Sequence, residues 1–186
     1  LEILSEEHGY ILLYGPDISE GEQKEREYTE VILQNRLRKT VNEINGDIPA
    51  EARDEAVKKV LRTFSVSLME NNESFHRMLT EGIDIKFSVG DGKARTDKVW
   101  LIDFANPENN EFLAVNQFTV IENQNNKRPD IVIYINGIAV GVLELKRSTV
   151  SISEGIRQNL DNQQHMFIRQ FYNTVQYVLA GNDTEG

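Results

Sequence analysis

Residues 129–146 read Pro-Asp-Ile-Val-Ile-Tyr-Ile-Asn-Gly-Ile-Ala-Val-Gly-Val-Leu-Glu-Leu-Lys, and this stretch decides the fold. Two apolar runs, 131–135 and 138–145, flank Asn136-Gly137. This dipeptide is typical of the tight turn in a two-residue β-hairpin. The stretch therefore predicts a β-hairpin of two nearly all-apolar strands, with the acidic Asp130 at the mouth of the first strand.

The second predicted strand carries two charged residues, Glu144 and Lys146, whose side chains share one face because they lie two residues apart. A carboxylate in so apolar a run must be paired, bound to a metal or at an edge, since burial of a free charge is costly. Asp130, Glu144 and the backbone carbonyl of Leu145 offer the oxygen ligands that Mg²⁺ prefers. Bound Mg²⁺ polarises a phosphate, and a nearby lysine orients or deprotonates the attacking water. The pattern predicts phosphodiester hydrolysis by these residues.

The hairpin register decides whether Asp130 and Glu144 meet. A plain two-residue loop at Asn136-Gly137 places Asp130 opposite the residue before Glu144, and the two carboxylates then point to different faces. A three-residue loop or a bulge, for instance at Gly141, places them opposite each other. We therefore predict one extra residue in the hairpin, or an Asp130 that lies just outside the paired strands. The competing interpretation makes Asp130 a turn residue and Glu144–Lys146 an exposed pair on an edge strand.

The rest of the chain changes from a helical to a strand pattern near residue 81. Helices are predicted at 1–7, 20–44, 49–64, 73–80 and 153–170, the last with Ser153 as N-cap. Strands are predicted at 10–14, 83–87, 99–104, 112–121 and 171–180, with a Gly90-Asp91-Gly92 turn. The sequence thus predicts an α+β fold, a mixed β-sheet flanked by helices, in a single domain over 1–186. Residues 1–80 form its mainly helical subregion and 81–186 its sheet-containing core.

The composition narrows the classes of function. The 186 residues are 39% hydrophobic and 27% charged, ordinary values for a globular chain with a real core. The absence of cysteine excludes a thiol nucleophile, a cysteine zinc site and disulfides, and it fits a reducing cytoplasm. No run approaches the roughly 20 apolar residues of a membrane span. The net charge of −10 predicts weak DNA binding by this chain alone, yet acidic residues are the ligands a metal-dependent nuclease needs.

Several motifs together carry a family resemblance. They are Asn-Gln-Phe-Thr-Val at 116–120, Arg-Pro-Asp-Ile-Val at 128–132, Asn-Gly at 136–137 and Val-Leu-Glu-Leu-Lys at 142–146. Gly-Pro-Asp-Ile at 15–18, Phe-His-Arg-Met-Leu at 75–79 and Ile-Asp-Phe at 102–104 extend the match over most of the chain. These motifs resemble the N-terminal domain of the R subunits of type I restriction endonucleases, and the Pro-Asp…Glu-Leu-Lys block is the most specific of them.

The resemblance implies a PD-(D/E)xK nuclease core that cuts double-stranded DNA with Mg²⁺, as a type I site-specific deoxyribonuclease. It also implies an ATP-driven motor beyond residue 186, with modification and specificity subunits as partners. The sequence has no glycine-rich phosphate loop ending in Gly-Lys-Ser/Thr, so ATP is expected to bind the full-length subunit and not this chain. Two alternatives stay open: a docking module whose nuclease site is degenerate, and a stand-alone nuclease of the same fold.

The family pattern suggests further site residues. A Gln-x-x-x-Tyr motif follows the catalytic strand in the family; Gln158 matches its first position, but Asn162 stands where tyrosine is expected. Gln158 is therefore an auxiliary catalytic candidate or a solvated helix residue. Related nucleases place a glutamate on an early helix near the metal, which makes Glu30 a candidate ligand or, alternatively, a surface charge. Lys127 and Arg128, in the polar loop before the hairpin, are candidate DNA contacts or simply solvated.

Overall fold

The computed structural model describes residues 1–62, 65–89, 92–164 and 166–182. The helices are α1 (Glu2–Glu6), α2 (Gln34–Ile44), α3 (Ala50–Val60), α4 (Leu68–Glu81) and α5 (Ile152–Asn162), with short 3₁₀ helices at Pro107–Asn109 and Arg169–Asn173. The strands are β1 (Ile11–Tyr14), β2 (Ile83–Val89), β3 (Lys93–Val99), β4 (Phe112–Asn116), β5 (Val120–Glu122), β6 (Asn125–Lys127), β7 (Ile131–Ile135), β8 (Ile138–Leu145) and β9 (Tyr177–Gly181). Residues 63–64 of the predicted second helix and 90–91 of the predicted turn lie outside the described residues.

A five-stranded sheet in the order β1-β4-β7-β8-β9 organises the fold. The β1–β4 and β8–β9 pairs are parallel, whereas the β4–β7 and β7–β8 pairs are antiparallel. Apolar side chains of α2, α3 and α4 cover one face, and Ile168, Phe171 and Tyr172 cover the other. The predicted α+β class, a mixed sheet flanked by helices, is confirmed.

The central hairpin contains the extra residue that its chemistry requires. Asn136 and Gly137, with φ values of 54° and 80°, form the two-residue loop between Ile135 and Ile138. The register then shifts, because Tyr134 pairs with Ala139 while Ile133 pairs with Gly141. Val140 is the extra residue, next to the glycine at which a bulge was expected. The predicted bulge is confirmed.

The bulge determines which side chains meet at the end of the sheet. Downstream of it Ile131 pairs with Leu143, so the next pair in the ladder is Asp130 with Glu144. Asp130 itself lies one residue before β7. β8 is an inner strand between β7 and β9, which rules out the edge-strand interpretation of Glu144.

The predicted helix over 20–44 is wrong in its first half, since α2 begins only at Gln34. Residues 20–33 instead wrap around the buried guanidinium of Arg26. This group donates to the carbonyls of Glu30, Tyr28 and Thr119 at 2.7, 3.0 and 2.9 Å. The carbonyls of Glu30 and Tyr28 therefore bind the Arg26 side chain and are not free to accept from backbone amides in a helix. The spacing of apolar residues does not reveal this competition.

The predicted strand at 99–104 is also wrong, because β3 precedes it and ends at Val99. The Asn45 side chain accepts from the Trp100 amide at 2.8 Å and donates to its carbonyl at 2.9 Å, which occupies the backbone groups a strand would use. The predicted strand at 112–121 divides into β4 and β5 at Gln117, where φ is 54°.

The predicted C-terminal helix and strand are both present in the predicted order, but their bounds differ from the prediction. α5 is capped by Ser151, whose Oγ accepts from Ser153 N, so the predicted cap lies two residues too late. The helix ends at Asn162 instead of continuing to 170, because the chain turns to bury Ile168 and Phe171 in the core. β9 accordingly begins at Tyr177 and not at 171. Among the described residues, no helix combines the length and apolarity needed to cross a membrane.

Candidate active site

Asp130, Glu144 and Lys146 converge at one end of the central sheet. The Lys146 amine lies 3.7 Å from Oε2 of Glu144, as expected for side chains two residues apart on one strand face. Asp130 reaches across from the partner strand: its Oδ2 accepts from the Leu145 amide at 2.8 Å, and its negative charge acts on the carboxyl group of Glu144. The bulge at Val140 is what brings the two carboxyl groups to the same place.

Glu144 is the most constrained member of this cluster, with 1% of its surface exposed. Burial, reinforced by the negative charge of Asp130 and opposed by Lys146, raises the pKa of Glu144 to about 7. Its Oε1 atom is buried and has no hydrogen-bond partner among the residues that the structure describes. A buried carboxylate oxygen without a partner is costly, so this end of the sheet is short of positive charge.

Gln158 links the two charged residues of β8. Its Nε2 donates to Glu144 Oε2 at 3.0 Å, and its Oε1 accepts from Lys146 Nζ at 2.7 Å. Gly155, one turn earlier on α5, allows this approach: a Cβ there would lie 3.0 Å from Ala180 Cβ and 3.4 Å from Lys146 Cε. The glutamine of the half-present motif therefore contacts the site, and the solvated-residue interpretation is wrong.

The buried face of α5 continues below Gln158 with polar residues. Asn162 is 2% exposed and hydrogen-bonds with the hydroxyl of Tyr172, which also donates to Asn159 Oδ1 at 3.2 Å. Tyr172 comes from the following 3₁₀ helix and not from α5. A phenol thus lies beside Asn162 although the motif's own tyrosine is missing, and sequence spacing gave no signal of it.

The donor set fits a hard divalent cation. Two carboxylates lie close together, and one of them has a buried oxygen with no partner in the described part of the chain. No three His, Cys, Asp or Glu side chains cluster as a metal site anywhere in the described part of the chain. Two carboxylates still suffice for Mg²⁺, which usually keeps several waters or phosphate oxygens in its coordination shell.

The remaining candidate residues lie apart from this cluster. Glu30 precedes α2 instead of lying on a helix, and its carboxylate accepts from Gln34 Nε2 at 3.0 Å and from the Glu27 amide at 2.8 Å. The assignment of Glu30 to an early helix is therefore wrong. Lys127 places its amine 4.4 Å from the ring centroid of Phe167, and Arg128 is exposed.

The early helix that does reach this end of the sheet is α1. Leu1, Glu2 and Ile3 line a cavity of about 580 Å³ whose other walls include Asp130 and Leu145. Glu2 is thus an acidic residue on a cavity that Asp130 also lines, and sequence reasoning missed it. The sequence predicted a helix at residues 1–7, but it gave no information on where that helix lies relative to Asp130.

The chain belongs to the family described as the type I restriction enzyme R protein N terminus, whose model matches residues 1–186. Over 141 residues, 74% of this chain, it is 31% identical to the type I restriction enzyme HindI endonuclease subunit of Haemophilus influenzae. It is 33% identical, over 141 residues and again 74% of the chain, to the "Putative type I restriction enzyme MjaIXP endonuclease subunit" of Methanocaldococcus jannaschii. The matched part covers 13% of each relative, so the chain corresponds to a small part of their length.

Proposed function

We propose that this chain is a Mg²⁺-dependent endonuclease domain with a PD-(D/E)xK core that hydrolyses phosphodiester bonds of double-stranded DNA. The observation that carries the proposal is the meeting of Asp130 and Glu144 across a bulged hairpin, with Lys146 on the same face. Family membership supports it, and so do relatives described as endonuclease subunits.

In this proposal each side chain has a role that suits its chemistry. Asp130, Glu144 and the Leu145 carbonyl would hold Mg²⁺, which would polarise the scissile phosphate and lower the pKa of water near it. Lys146, tethered by Gln158 and close to Glu144, orients the attacking water and offsets the negative charge that develops on the phosphate. Gln158 bridges the amine and the carboxylate, which also form an ion pair at 3.7 Å, and so fixes their relative positions.

The metal assignment is tested by comparing Glu144→Gln with the wild-type chain in urea unfolding. Without metal, the raised pKa of Glu144 makes the folded state bind a proton more tightly than the unfolded state. Wild-type stability therefore falls as pH rises from about 4.5 to about 7 and stays low above that. We expect Glu144→Gln to be more stable than wild type by about 1–3 kcal/mol at pH 8 and similar to it near pH 4.5.

Added Mg²⁺ or Mn²⁺ should reverse that order above pH 7. Saturating metal stabilises the wild-type chain, by about 2.7 kcal/mol at 100 times its Kd. Glu144→Gln and Asp130→Asn should show no such gain, whereas the exposed Glu108→Gln should behave as wild type. Equal metal-induced stabilisation of all four proteins would contradict the site.

Gln158 offers a second test that leaves the carboxylates in place. Gln158→Leu removes both hydrogen bonds that align Glu144 and Lys146. Loss of such a supporting residue typically costs 10–100-fold, so plasmid cleavage should slow by about that factor. Gln164→Leu, a matched change in the exposed turn just after α5, should cleave at the wild-type rate. A Gln158→Leu protein that cuts normally would remove this residue from the site.

Family membership also supports a proposal about the assembly around the domain. We propose that the longer protein carries an ATP-driven motor beyond residue 186 and works in the cytoplasm with modification and specificity subunits. A second candidate function is a docking module with a degenerate nuclease site, favoured by Asn162 in place of the motif tyrosine. The metal titration separates the two, because a docking module has no reason to bind Mg²⁺ through Asp130 and Glu144.

A further inference from the structure

We infer that Gln117 is a DNA-positioning residue of the proposed nuclease, whose carboxamide donates to the phosphodiester next to the one that is cut. This inference rests on the proposed function. Gln117 lies next to Asp130 across the sheet. Asn116 pairs with Ile131, and the Gln117 amide donates to the Asp130 carbonyl at 2.9 Å. Three neighbouring strands thus present Gln117, Asp130 and Glu144 side by side at one end of the sheet.

The backbone of Gln117 is held in a conformation that L residues rarely adopt. Its φ is 54°, in the left-handed region that favours glycine and asparagine. Its neighbours pack closely around it: a Cβ on Gly15 would clash with the Gln117 carbonyl oxygen, and the Phe118 amide donates to the Pro129 carbonyl at 3.2 Å. Glycine would suit this backbone better, so local structure does not explain a long side chain here.

The side chain is available for a ligand. Gln117 is half-buried and lines the 580 Å³ cavity that also contains Asp130. Its carboxamide has no hydrogen bond to any residue of the described ranges 1–62, 65–89, 92–164 and 166–182. The carboxamide is therefore open to a ligand in a cavity that one of the two proposed metal-binding carboxylates, Asp130, also lines.

The chemistry of an amide suits this position. The chain has 30 acidic and 20 basic residues, and the site itself holds two carboxylates. A lysine here would pair with those carboxylates and compete with the metal, whereas a neutral amide donates to phosphate without doing so. Glutamine and asparagine commonly contact DNA phosphates in this way.

The experiment compares Gln117 variants in the intact protein, assembled in its restriction complex, by the single-turnover rate of plasmid cleavage. Gln117→Gly relieves the backbone and removes the amide, and we expect unchanged or higher thermal stability with cleavage slowed about tenfold or more. Gln117→Glu should be slower still, because it places an anion against the phosphate.

Asn123→Gly is the matched control. Asn123 also has a positive φ, of 56°, but it lies at the turn between β5 and β6 and does not line this cavity. It should cleave as wild type. Wild-type cleavage by Gln117→Gly or Gln117→Glu would overturn the inference, and so would equal slowing by Asn123→Gly. Tighter Mn²⁺ binding by Gln117→Glu would also overturn it, by making residue 117 a metal neighbour. Failure of the proposed function would look different, because Lys146→Ala would then also cut normally.

Discussion

Replacement of Lys146 by alanine is expected to reduce DNA cleavage about 10³-fold while the protein stays folded. The amine lies 2.7 Å from Gln158 Oε1 and 3.7 Å from Glu144 Oε2, and the side chain is 19% exposed, so it can reach a bound phosphate. Truncation removes the group that orients water and offsets charge on the reacting phosphate. It leaves both carboxylates to hold the metal.

Plasmid cleavage by the intact complex measures this effect. Lys98→Ala is the matched control, because Lys98 is also a strand lysine paired with a carboxylate, at 3.2 Å from Asp84 Oδ1, but it lies on the separate β2–β3 hairpin. Both variants should show wild-type circular dichroism and bind Mn²⁺. Cleavage by Lys146→Ala at the normal rate would defeat the assignment of its role.

The sequence predicted the central β-hairpin correctly because two local signals agree there, the apolar runs and the turn dipeptide. The apolar runs of 131–135 and 138–145 fix the strands, and Asn136-Gly137 fixes the turn. The requirement that Asp130 meet Glu144 then demanded an extra residue, which the structure has at Val140. A chemical constraint thus supplied a structural detail that propensity alone does not give.

The wrongly predicted helix and strand lie where the hydrogen bonds of a single side chain outweigh the spacing of apolar residues. The segment 20–33 has helical spacing, yet one buried cation turns it into a loop. The Asn45 side chain binds the backbone of Trp100 and so prevents a strand there. Asn136 fixes the start of β4 by accepting from the Glu111 amide at 2.8 Å. The contacts of Asn45 with Trp100, of Asn136 with Glu111 and of Arg26 with Thr119 join residues far apart in sequence, so no window of neighbouring residues reveals them.

The buried cation is Arg26, which is 2% exposed and has no ion pair with a carboxylate among the described residues. Its guanidinium is satisfied by three carbonyls and by Ser19 Oγ at 3.2 Å, and it lies 3.9 Å from the ring centroid of Phe118. Burial lowers the pKa of Arg26 from its usual value, while the surrounding negative groups oppose that shift. The loop before α2 is thus organised around a charge whose partners are mostly backbone.

Arg26→Met is therefore expected to destabilise the chain by about 3–5 kcal/mol, the largest stability loss we expect for a single change. Methionine fills part of the volume but leaves the carbonyls of Glu30 and Thr119 buried without a donor. Urea unfolding measures the loss, and Arg38→Met is the control. Arg38 forms an exposed pair with Asp54 at 3.3 Å, so that change should cost less than about 1 kcal/mol. Equal losses for the two variants would mean that Arg26 does not organise the loop.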